Sequence, residues 1–97
     1  MTTRAQRIEA VLRRDFAPVL LRIVDDSARH AGHAGAAPGG QTHFSLLLVA
    51  EAFRGQGRVQ RSRAVHAGLA GVFADGLHAL ELTLRSQEEQ QRAGVQP

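Results

Sequence analysis

Between Leu77 and Arg85 the chain alternates without a fault. His78, Leu80, Leu82 and Leu84 fall on one side, and Ala79, Glu81, Thr83 and Arg85 on the other. A period of two is the mark of an extended strand with one buried face. No strand is stable alone, so the rest of the chain must supply both its neighbours and a cover for the leucine face.

Two further segments read as strands. Val19 to Asp25 is rich in β-branched residues and leucine, with Arg22 at an alternating position. His43 to Glu51 carries Phe44, Leu46, Leu48 and Ala50 on one side. Leu47 and Val49 on its other side mark it as the central, well-covered strand. The cover comes from helices. Thr3 with Gln6 makes a capping box, and Ile8, Val11, Leu12 and Phe16 follow at helical spacing. The first helix is therefore expected over 3–15, stopped by Pro18. After a turn at Arg54–Gly57, the stripe Val65, Leu69, Val72 and Phe73 predicts a second helix from Arg58 to Asp75, with Gly76 as its cap. Ser86 with Glu89 repeats the capping box and opens a short last helix.

The expected order is α-β-β-α-β-α. The first two strands form an antiparallel pair, and the third returns through a helical crossover, so the sheet is mixed. Helices packed on one face of three strands is the economical α+β solution. With 97 residues there is one core to build, and residues 1–97 are expected to form one domain, ordered over about 3–90 with a polar tail at 91–97. Residues 26–42, rich in Gly, Ala and His, lack any period and form a connection long for so small a domain.

Composition excludes several functions. The absence of Cys removes disulfides, thiolate ligands and thiol chemistry. The longest apolar run, Leu46 to Ala50, is far too short to span a bilayer. The polar start, with Arg4, Arg7 and Glu9, is unlike a secretory leader, and the cytoplasm is the expected compartment. No nucleophile–base set, carboxylate pair or phosphate-cradling loop is recognisable, so no enzyme is expected. All 12 basic residues are Arg, for a net charge of +3. That permits an anionic partner without demanding one.

Several pieces stand in a known order: Val24-Asp25-Asp26-Ser27, His30-Ala31-Gly32-His33, Thr42-His43-Phe44, Phe53 with Gly55, Gln60-Arg61-Ser62-Arg63, and Gly76-Leu77-His78-Ala79-Leu80. None is specific singly, but in this order they resemble the BolA family from about residue 4 to 85. The resemblance implies a fold similar to the class II KH domain. It also implies association with a monothiol glutaredoxin and a bridging [2Fe-2S] cluster, with glutathione supplied alongside the partner and no cofactor held by the chain alone. A monomer alone and a heterodimer with the partner are expected, in cluster trafficking or iron and stress regulation. In that picture His78 is one ligand, and a histidine of the long connection is the other, His30 by its distance from the Asp-Asp-Ser piece or His33 as its close neighbour. Some members of the family are associated with DNA and transcription. Arg61-Ser62-Arg63 departs from the family's frequent Arg-His-Arg, and Arg54-Gly55-Gln56-Gly57 is only a loose stand-in for the KH Gly-x-x-Gly loop.

Imidazole can replace thiolate on one iron of a [2Fe-2S] cluster, and it ligates in its neutral form. By the residues alone, His78 shares its side with three leucines, which equally describes a histidine at the edge of the core. His43 is expected to be structural, hydrogen-bonding at the end of the long connection, and His66 lies beside the apolar stripe without a role. Arg58, Arg61 and Arg63 open the second helix, where cations oppose the helix dipole. An arrangement that costs stability suggests a contact for an acidic partner, glutathione carboxylates or nucleic-acid phosphate.

Overall fold

A computed structural model of the chain describes residues 2–26 and 42–93. Helix α1 spans Arg4–Phe16, β1 Leu20–Asp25, β2 His43–Val49, α2 Arg58–Gly68, α3 Ala70–Ala74, β3 Ala79–Arg85 and α4 Gln87–Arg92. A single turn of 3-10 helix at Glu51–Phe53 links β2 to α2. The order of elements is the expected one, except that the second helix is split in two; the end of β2 and the start of β3 each move by two residues.

β2 is the middle strand, antiparallel to β1 and parallel to β3. Its register aligns Leu46 with Ile23 on one side and with Leu82 on the other. Phe44, Leu46 and Leu48 are buried, and Leu21, Ile23, Leu80, Leu82 and Leu84 flank them. Ile8 and Leu12 of α1, Val65 of α2, Val72 of α3 and the intervening Leu69 close the layer above. Arg22, Val24, Glu81 and Thr83 alternate to the opposite face and are exposed. One sheet face carries the helical layer, because only that face alternates apolar across all three strands.

The caps explain the ends. Thr3 Oγ1 accepts from the Gln6 amide at 3.1 Å and the Gln6 side chain accepts from the Thr3 amide at 2.7 Å, which is the capping box read from sequence. Gly76 has φ +120, the left-handed region where glycine has no steric cost, and it turns the chain out of α3. The long second helix expected over 58–75 is instead two helices. Leu69 leaves helical geometry at φ −97, ψ 10, just after Gly68, a weak helix former. β2 ends at Val49, two residues early, because the Ala50 amide makes a last bond to Arg85 and Phe53 then turns into the core. β3 begins at Ala79, two residues late. Leu77 is instead drawn into the core at 4% exposure, which leaves His78 between the turn and the strand.

Candidate functional site

The ends of all three strands meet at one corner. The Thr42 carbonyl accepts from both the His78 amide, at 2.8 Å, and the Ala79 amide, at 3.1 Å, tying the entry of β3 to the entry of β2. The Asp26 amide donates to the His43 carbonyl at 2.7 Å and ties in the exit of β1. The Asp26 carboxylate also accepts from the Ser45 hydroxyl. The corner is therefore braced by backbone bonds from every strand.

His78 is exposed there, not set among the leucines. Two adjacent amides fixed on one carbonyl hold its backbone, and its ring lies 5.9 Å from the ring of His43 in a stacked arrangement, 25° between planes. His43 is half-buried, and its Nδ1 is hydrogen-bonded to the Thr42 hydroxyl at 2.9 Å. The expected hydrogen-bonding role of His43 is present, but sequence reasoning missed its contact with His78. The signal was obtainable only from register: a parallel pairing of His43 with Ala79 brings the residue before Ala79 alongside.

His30 and His33 lie outside the described residues. The chain that carries them leaves from Asp26 and returns at Thr42, both of which stand at this corner. Among the described residues no group of three or more His, Cys, Asp or Glu side chains could enclose a metal ion. With no thiolate anywhere in the chain, the described part of the corner offers the imidazoles of His43 and His78 beside the Asp26 carboxylate, which already accepts from Ser45. That donor set fits half of a shared iron site and falls short of a complete one.

The three arginines of α2 do not form a common outward row. Arg58 and Arg63 are exposed, but Arg61 is 8% exposed and engaged inside the chain. Its Nε donates to the Gln56 carbonyl at 2.9 Å, and Nη1 to the Leu84 carbonyl at 3.2 Å. Nη1 and Nη2 also donate to the Glu89 carboxylate at 2.5 and 3.2 Å, and the group lies over the Phe53 ring. Arg61, expected as a contact for a partner or anion, is instead engaged by Glu89, 28 residues on in α4. Foremost the Arg61 guanidinium, and then the Ser86 amide, hold the Glu89 carboxyl down to about 2. The helix start is also eased by Gln60, whose side chain accepts from the Gly57 amide at 2.9 Å. His66 stacks on Phe73, with ring centres 5.3 Å apart, and is remote from the corner in sequence and contact.

A groove of about 840 Å³ runs beside β3, lined by Gln56, Gly57 and Arg58 on one bank and Leu82 to Arg85 on the other. No helix among the described residues is long and apolar enough to cross a membrane.

Comparison with known proteins agrees with the fold. The model of the BolA-like protein family matches residues 12–89. The chain is 37% identical over 91 residues to SufE-like protein 1, chloroplastic/mitochondrial, of Arabidopsis thaliana, covering 90% of this chain and 24% of that protein. It is 39% identical over 77 residues to the DNA-binding transcriptional regulator BolA of Escherichia coli (strain K12), covering 79% of this chain and 70% of that one. Its structure superposes on the BolA domain of SufE1 from Arabidopsis thaliana with a TM-score of 0.81 at 36% identity, over 92% of this chain and 98% of that domain. Sequence pieces, sheet order and superposition agree, and the chain belongs to the BolA-like family.

Proposed function

We propose that the chain is a non-catalytic adaptor that docks a monothiol glutaredoxin and lends histidine ligands to a [2Fe-2S] cluster held between the two, with glutathione arriving alongside the partner. The observation that carries this reading is the exposed imidazole of His78 on a braced corner where the segment bearing His30 and His33 begins and ends. The cluster, when held, would supply a redox-active and exchangeable iron centre whose potential imidazole ligation raises. The chain's own part is positioning. The Thr42 carbonyl fixes the His78 backbone, and the His43 ring limits the directions open to the His78 side chain. A free thiol of glutathione requires a reducing compartment, for which the cytoplasm is the simplest choice.

The test mixes the protein with a monothiol glutaredoxin, iron, sulfide and glutathione and follows the visible circular dichroism. His78→Ala is expected to abolish or reshape the bands, while its folding stability stays within about 0.5 kcal/mol because the side chain is exposed. Of His30→Ala and His33→Ala, the one that matches the effect of His78→Ala identifies the second ligand. Unchanged bands in His78→Ala would refute the assignment.

One observation favours a second reading, in which the chain binds nucleic acid and regulates transcription. Arg58 and Arg63 stand exposed at the head of α2, and the Escherichia coli relative is named a DNA-binding regulator. If phosphate contact is their use, Arg58→Ala and Arg63→Ala should each lower the salt slope of DNA affinity by about 1.

A further inference from the structure

The outer edge of β3 carries hydrogen-bonding groups that the fold leaves open. In the parallel ladder the Ala79 amide bonds to Thr42 and the Arg85 carbonyl accepts from Ala50, so the odd-numbered residues of β3 face β2 with both backbone groups. The even-numbered residues face outward. Arg61 takes the outward carbonyl of Leu84. Among the described residues, nothing takes the amide and carbonyl of Leu80 or Leu82, or the amide of Leu84. An edge with such a row is a template for another strand.

This edge is also one bank of the groove. Arg58, Arg61 and Arg85 line it against a single carboxylate, Glu89. Glu89 is spent on Arg61, Arg85 donates only to the neutral side chain of Gln90 at 2.7 Å, and Arg58 stands exposed. Two cationic charges are therefore left uncompensated on the rim.

We propose that the β3 edge captures an extended acidic segment of a partner protein as a fourth strand, with its carboxylates against Arg58 and Arg85. Strand addition uses main-chain bonds for affinity and alternate side chains for specificity, and both halves are present here. A nucleic-acid strand fits less well. Its phosphodiester backbone offers acceptors and no donors for a row of alternating amide and carbonyl groups, it would meet Glu89, and the groove offers no aromatic ring for a base. The groove's middle lies roughly 16 Å along the strand from His78, at about 3.3 Å per residue. The inference therefore does not rest on the histidines of the corner.

The test uses the full chain, labelled with 15N, and a blocked octapeptide of alternating valine and glutamate. Binding should slow hydrogen exchange at the amides of Leu80, Leu82 and Leu84 by at least tenfold, in His78→Ala as in the unsubstituted protein. Arg58→Glu should weaken binding about tenfold, and the same peptide N-methylated at alternate residues should not bind. Equal binding of the N-methylated peptide would reduce the effect to charge attraction and overturn the proposal. So would protection of these amides by an oligothymidylate and not by the peptide. Protection already present in the free protein would also overturn it, pointing to a second copy if it grows with concentration and to the chain itself if it does not.

Discussion

Arg61 places a permanent charge at 8% exposure and satisfies it with two backbone carbonyls and one carboxylate. The arrangement joins three parts of the chain: the turn before α2, the end of β3 and the start of α4. Removing the guanidinium leaves those acceptors without their donor in a place water reaches poorly. Arg61→Ala is expected to cost about 2–3 kcal/mol, the usual scale for hydrogen bonds to a charged group. A urea denaturation midpoint measures it, and an unchanged midpoint would show that the bonds carry no net stability. Arg58→Ala, exposed on the preceding turn, should change stability by less than about 0.5 kcal/mol in the same assay. No sequence pattern separates these two arginines. Their spacing puts them on one helix, but which of them turns inward depends on where Glu89 arrives.

At the scale of elements, α4 is a six-residue helix with no buried residue, too short to persist by itself. Two devices hold it. The Ser86 hydroxyl accepts from the Glu89 amide at 3.2 Å while the Glu89 carboxylate accepts from the Ser86 amide at 2.8 Å, and the same carboxylate grips Arg61. The helix is thus sensitive to acid. The Glu89 carboxyl is lowered in the folded protein to about 2 from an ordinary 4.5, so its contribution is complete above about pH 4.5 and is lost as pH falls towards 2. A carbon-detected NMR titration should give Glu89 a midpoint near 2, and Arg61→Ala should move that midpoint upward. A midpoint at the ordinary carboxylate value in the unsubstituted protein would contradict the geometry.

The same scale shows how much was legible beforehand. Both capping boxes, the alternation over β3 and the apolar stripe of α1 are local patterns, and they located their elements to within one or two residues. The second helix reads as continuous in sequence because Val65, Leu69, Val72 and Phe73 keep a helical period across the break at Leu69. A buried side chain can hold its place in the stripe while the backbone beneath it departs from helix. The strand boundaries at Glu51 and Leu77 failed for a related reason. Leu77 is apolar like the strand it adjoins but is buried from the turn after Gly76, whereas Ala50 stays extended and the chain turns into a 3-10 helix only from Glu51.

For the whole molecule, the middle strand is the common wall of the core. Leu48, with no exposed surface, pairs with Leu21 on one side and Leu84 on the other and faces the helical layer. Leu48→Ala is expected to cost about 2–5 kcal/mol, since a side chain hemmed in by both neighbouring strands and the helical layer has little room to collapse. For a domain of this size that is a large part of the total, and the thermal midpoint should fall by more than about 10 °C. A fall of only a degree or two would mean the core repacks freely around β2. His78, at the rim of the same sheet, should leave the midpoint where it is. Stability and the proposed function are thereby carried by different residues of one strand pair.

Amphipathic periods, caps and the family resemblance are written along the chain, and the kind and order of the main elements follow from them. They also marked His78 as a residue to watch. What tertiary structure alone decided is adjacency between residues far apart in sequence: His43 against His78, Arg61 against Glu89, and the outer edge of β3 beside Arg58. Local periodicity fixes which face of an element is apolar. It carries no information about which polar side chains meet when those faces close on one another, because that depends on register and crossover, which are settled by packing.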